Sequence, residues 1–137
     1  MKQIFLSLLL FVTSPVWAGD LKLSMHGEGI SGKTLFVAVH NSAKDFPTRD
    51  GNAIKATVIA QSDITELTIP NILSGEYAVA VFADMNGNGK LDSNFIGIPK
   101  EPVGASRDAK GSFGPPKFAD AVFKIGDGIT AMTIELK

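Results

Sequence analysis

Beyond residue 18 no stretch of this 137-residue chain keeps an apolar period of 3.6 residues, so a helical bundle or a layered α/β fold has nothing to be built from. Apolar residues instead recur at every second position in short runs between Gly, Pro, Asn and Asp. Leu21, Leu23 and Met25 alternate with Lys22, Ser24 and His26. Thr34–Asn41 is rich in β-formers and apolar on both faces, which predicts a central strand. Ala53–Gln61 predicts a third strand. Glu66–Ile69 predicts a fourth, ended by Pro70 and followed by a turn over Asn71–Gly75. Tyr77–Phe82 is the strongest strand pattern in the chain, and Ala121–Ile125 reads as a sixth. Gly126-Asp127-Gly128 then turns into a last strand in which Thr130, Met132, Ile134 and Leu136 share one face. Seven short strands with turn signals between them predict an all-β, antiparallel two-sheet sandwich, a closed barrel being the alternative.

The first eighteen residues stand apart from this pattern. A basic start at Met1-Lys2, an apolar run over Ile4–Val12, the breaker Pro15 and the Val16-Trp17-Ala18 ending read as a secretory signal peptide cleaved after Ala18. The apolar run is well short of the about 20 residues a membrane span needs. The expected organisation is therefore a leader over 1–18 and one β-sandwich domain over 19–137. That places the product in the periplasm or outside the cell, with no membrane insertion after cleavage. No cysteine exists to carry a lipid, a disulfide, a thiolate metal site or a cysteine nucleophile. Thirteen Lys and Arg against fourteen Asp and Glu give a net charge of −1. So small a charge argues against nucleic acid or an anionic membrane as the main partner, since both call for a basic excess. The two histidines rule out a three-histidine metal site.

One segment carries hard-oxygen ligand spacing. The Tyr77–Phe82 strand leads into Asp84-Met85-Asn86-Gly87-Asn88-Gly89-Lys90-Leu91-Asp92. Asp84, Asn86 and Asn88 hold positions one, three and five of a curled loop, Gly89 permits the sharp turn at six, and the Lys90 carbonyl stands at seven. Asp92 stands at nine. This is the first two-thirds of a calcium loop of the EF-hand kind. Phe95 occupies position twelve, where a bidentate glutamate belongs, and Glu101 is the nearest downstream carboxylate that can complete the shell. With two local carboxylates the expected calcium site is weak and structural, with a dissociation constant on the order of 10⁻⁴–10⁻³ M. The same residues also make metal-free tight turns, because Asp, Asn and Gly tolerate left-handed backbone. The fixed alternation with Asp at nine favours calcium.

Ser93–Asp120 shows little strand pattern and holds four of the seven prolines, together with Phe95, Phe113 and Phe118. Aromatic content of this kind calls for burial, so an ordered loop is expected, either a flap that closes one end of the sandwich or the rim of a binding cleft. His40 at a strand end and His26 on a polar strand face read as solvated or hydrogen-bonded side chains. There is no Gly-x-Ser-x-Gly elbow to partner either of them, and no phosphate loop opening a helix.

Four pieces of the chain together carry a resemblance. They are Gly75–Phe82, Asp84-x-Asn86-Gly87-Asn88-Gly89-Lys90-Leu91-Asp92, Asn94–Pro102 and Gly111-Ser112-Phe113-Gly114-Pro115-Pro116-x-Phe118. They resemble the uncharacterised exported bacterial proteins grouped as domain of unknown function 2141. That resemblance implies an exported, mostly Gram-negative protein and assigns no activity. More loosely, the strand and its Asp-x-Asn-x-Asn-Gly-x-x-Asp loop are similar to calcium-bearing B-type repeat domains, which implies a transthyretin-like sandwich. The expected fold is thus a seven-stranded antiparallel Ig-like or transthyretin-like sandwich with one long ordered loop. The expected function is non-catalytic binding of an unidentified protein or small ligand at the cell envelope through 93–120. The metal ligands would be Asp84, Asn86, Asn88, Lys90, Asp92 and Glu101. The alternative is a periplasmic enzyme built on carboxylates from Asp84, Asp92, Glu101 or Asp108.

Overall fold

The computed structural model describes residues 17–112 and 114–137. All of the expected leader except Trp17 and Ala18, and likewise Phe113, lie outside the described residues. Within them the chain forms eight strands in two sheets, with almost no helix. The strands are β1 (Ala18–Gly27), β2 (Thr34–His40), β3 (Ile54–Ile59), β4 (Ile64–Leu73), β5 (Gly75–Asp84), β6 (Val103–Ala105), β7 (Phe123–Ile125) and β8 (Ile129–Leu136). A single turn of 3-10 helix over Ser106–Asp108 and a four-residue helix α1 (Phe118–Ala121) lie between β6 and β7.

One sheet has the order β4-β1-β8. The other runs β3-β2-β5-β6, with β7 paired to the start of β5. The period-two pattern decides which side chains meet between them. Leu21, Leu23 and Met25 of β1, with Ile134 and Leu136 of β8, face Leu35, Val37 and Val39 of β2 and Val79, Val81 and Ala83 of β5, all of them buried. Packing the two apolar faces together removes both from water, and this burial is what drives the fold. The double-sided apolarity of β2 is explained as well. Its outer face carries Phe36, Ala38 and His40, and Phe36 stacks on its cross-strand neighbour Phe82 with ring centroids 4.9 Å apart. The 41–53 loop folds over this face. Arg49 places its guanidinium 4.7 Å from the Phe36 ring centre, and Phe46 packs edge-on against both His40 and Phe118.

The structure corrects the expected strand plan in four places. The strand count is eight, because the three residues of β6 give no periodicity to read. The sheets are not wholly antiparallel, since β8 runs parallel to β1 from Asp20↔Ile129 to Gly27↔Leu136. The whole domain lies between these two strands, so no short crossover limits their direction. Strand β4 does not stop at Pro70 but continues to Leu73. It lies at a sheet edge, where a missing N–H is tolerated. A bulge lets it continue: the register against β1 shifts between Gly19 and Leu21, and Asn71 adopts a left-handed φ of 58°. The extra residue turns both Ile69 and Ile72 into the core, three positions apart. Finally, Ala121 belongs to α1, and β7 begins only at Phe123.

Candidate functional site

Strand β5 ends at Asp84, and the residues after it form two loops stitched together by one buried carboxylate. In the first loop both Asp84 oxygens accept backbone N–H groups, Oδ1 from Gly87 at 3.0 Å and Oδ2 from Gly89 at 2.7 Å. Gly87 and Gly89 have φ of 76° and 74°, the left-handed conformation that the curl needs and that glycine adopts without penalty. Asn86 and Asn88 each accept a backbone N–H two residues on, at 3.2 and 3.0 Å. Their amide N–H₂ groups both point at Asp92, 2.6 Å from Asn86 and 2.9 Å from Asn88. These amides, that of Asn88 first, hold the Asp92 carboxyl below its ordinary range by stabilising its charged form.

The second loop is a hairpin over residues 92–100. Ser93 and Pro99 form a bridge pair, Asn94 N donates to Ile98 O at 2.8 Å, and Lys100 N donates to Asp92 O at 2.8 Å. The Asn94 side chain fixes the tip by accepting from the N–H groups of both Ile96 and Ile98 at 3.0 Å. Glu101 then ties the two loops together. It is buried, its Oε2 accepts from Met85 N at 2.5 Å, and its Oε1 accepts from Asp92 N at 2.9 Å. Lys33 adds a bond from its ammonium to Met85 O at 3.1 Å.

All six residues singled out as ligands, Asp84, Asn86, Asn88, Lys90, Asp92 and Glu101, therefore belong to one hydrogen-bonded unit. The two carboxylates, the two amide oxygens and the Lys90 carbonyl are hard oxygens in a nine-residue loop, a donor set that fits calcium. Among the described residues no three His, Asp or Glu side chains cluster closely enough to hold a metal on their own. An ion here would thus draw on the amide and backbone oxygens as well. Asp108 is not part of the unit, since its carboxylate accepts from Glu135 N at 3.3 Å on β8.

Sequence reasoning missed what the hairpin displays. The aromatic residues of 93–120 were expected to be buried. Phe118 does pack on Phe46, but Phe95 at the hairpin tip is 99 % exposed. Ile96, Ile98 and Leu91 beside it are 64, 54 and 40 % exposed. The legible signal was Asn94 three residues before Gly97, a turn pair whose glycine has φ 84°.

The histidines are placed as follows. His26 bonds Ser24 at 3.0 Å and lies 3.3 Å from Glu135 across the parallel pair. His40 is not solvated. It is buried against Phe46, and its Nε2 has no hydrogen-bond partner. Burial lowers its pKa, opposed by the Thr48 backbone and the Asp45 charge. A cleft of about 240 Å³ lies beside it, lined by Asn41, Ser42, Lys44, Asp45 and Asn52 among others.

A family model described as "Uncharacterized protein conserved in bacteria (DUF2141)" matches residues 29–133, well over half of the chain. No curated protein and no solved structure matches it.

Proposed function

The chain belongs to the DUF2141 family, and we propose that this member is an exported, non-catalytic binding module. In this reading the Asp84–Asp92 loop takes a weak structural calcium ion, the 93–120 segment meets the ligand or partner, and the two sheets form an Ig-like or transthyretin-like sandwich. The observation that carries the reading is the Glu101 clamp. One buried carboxylate holds the start of the ligand loop at Met85 and its end at Asp92, from which the exposed hairpin springs. Anything that stiffens the loop also stiffens the hairpin.

Asp84, Asn86, Asn88, the Lys90 carbonyl and Asp92 would hold the ion, with Glu101 fixing the loop around them. Calcium would supply charge neutralisation between Asp84 and Asp92 and nothing chemical. The engaged carboxylates favour this over a carboxylate-based enzyme. Asp84 and Glu101 give both oxygens to backbone N–H groups, Asp92 is held by two asparagines, and Asp108 bonds away from the loop.

Thermal unfolding in EDTA and in 10 mM calcium tests the reading. An ion that binds only the folded state with a dissociation constant on the order of 10⁻³–10⁻⁴ M adds about 1.4–2.7 kcal/mol at that concentration, several degrees in Tm. Asp84→Ala abolishes the shift, and magnesium at equal concentration gives less. An unchanged Tm in 10 mM calcium contradicts the ion site, and a shift that survives Asp84→Ala puts the ion elsewhere.

A further inference from the structure

We propose that the Asp92–Lys100 hairpin is a membrane-contact finger that seats its apolar tip in the interfacial layer of an anionic lipid surface. The inference rests on the reading of 93–120 as the binding segment and names what that segment meets.

Three observations carry it. The first is exposure with order. Phe95, Ile96 and Ile98 stand in water at a tip held by the Ser93–Pro99 bridge and by the Asn94 side chain. Apolar side chains held outward on a fixed turn lose contact with water only when something else covers them. The second is shape. A hairpin tip is convex, so a flat protein face cannot cover it, whereas an acyl–headgroup boundary closes around a narrow apolar protrusion.

The third is local charge. Lys90 and Lys100 flank the base of the finger, both exposed, and neither forms an ion pair among the described residues. The only acidic side chain between them in sequence is Asp92, whose carboxylate is held by the amides of Asn86 and Asn88. An apolar tip above a basic collar matches a bilayer whose headgroups are anionic. The whole-chain charge of −1 argued against such a partner because it averages over the surface, whereas the finger carries its own local excess of lysine.

Co-sedimentation of the protein, residues 19–137, with vesicles of phosphatidylcholine alone and of phosphatidylcholine with 30 % phosphatidylglycerol tests the proposal, in EDTA and in calcium. The protein sediments with the anionic vesicles at low salt and leaves them at high salt. Phe95→Asp weakens partitioning tenfold or more, and Lys90→Glu with Lys100→Glu does the same. Both variants keep the wild-type far-UV CD spectrum and Tm in EDTA, because the substituted side chains lie outside the core. Sedimentation with neither vesicle type overturns the proposal and leaves the finger to a protein pocket. Equal partitioning into neutral and anionic vesicles, or partitioning untouched by Phe95→Asp, also overturns it. A calcium-dependent Tm with no vesicle binding fails the membrane inference alone, whereas vesicle binding without a calcium-dependent Tm fails the ion site alone.

Discussion

Glu101 accepts backbone N–H groups from residues sixteen and nine positions earlier in the chain, and it does so out of contact with water. In Glu101→Gln one acceptor oxygen becomes an N–H₂ group facing another N–H, so a buried donor loses its partner. The expected loss is about 1–3 kcal/mol, read as a lower urea midpoint at unchanged m-value. This residue was legible as the nearest downstream carboxylate, but its clamp was not, because nothing in the spacing says which backbone groups a side chain will reach. His40 gives a second expectation. The folded state keeps it neutral, its pKa lowered first by burial. The unfolded chain binds a proton near the ordinary value of about 6.5. Stability therefore falls as pH drops below about 6.5, where only the unfolded state is protonated, and is independent of this group above it. Urea midpoints at pH 7.5 and 5.5 should diverge more in the wild type than in His40→Gln, and parallel slopes would contradict the assignment.

Strand β4 shows what a period-two reading can and cannot recover. The alternation of β1, β2, β5 and β8 survives intact in the structure because each of those strands sets one face against the core. In β4 the apolar spacing jumps from two to three between Ile69 and Ile72, and Pro70 reads as an end. The bulge absorbs both irregularities by placing Asn71 in the left-handed region, its N–H bonded to the Asp20 carboxylate at 3.1 Å. Asn71→Val should destabilise by about 1–2 kcal/mol, since a β-branched side chain resists that conformation, while Asn71→Gly stays near wild type. Chemical denaturation of both variants checks this. The hairpin over 92–100 was illegible for a different reason. Asn94 and its side-chain bonds hold it rather than any apolar face, so it has no period to find.

At the scale of the whole molecule the two sheets meet along one side. Val103 and Lys137 exchange backbone hydrogen bonds at 3.0 Å in both directions, joining β6 to the end of β8. Gly104 permits the approach, because a Cβ there would lie 2.7 Å from both Glu135 O and the Ile134 side chain. Gly104→Ala should therefore cost about 1–3 kcal/mol in thermal unfolding, the usual penalty for overpacking. Two sheets and a single core were legible in the sequence, but this seam was not. It joins residues 34 positions apart and depends on an absent side chain. The account as a whole turns on the loop between β5 and the finger. A ¹H–¹⁵N correlation spectrum recorded through a calcium titration tests it most directly. The account predicts that the amides of Gly87, Gly89, Lys90 and Asp92 move together with a midpoint on the order of 0.1–1 mM while core amides such as Val37 and Val79 stay still. Loop amides that do not move up to 10 mM calcium would contradict it.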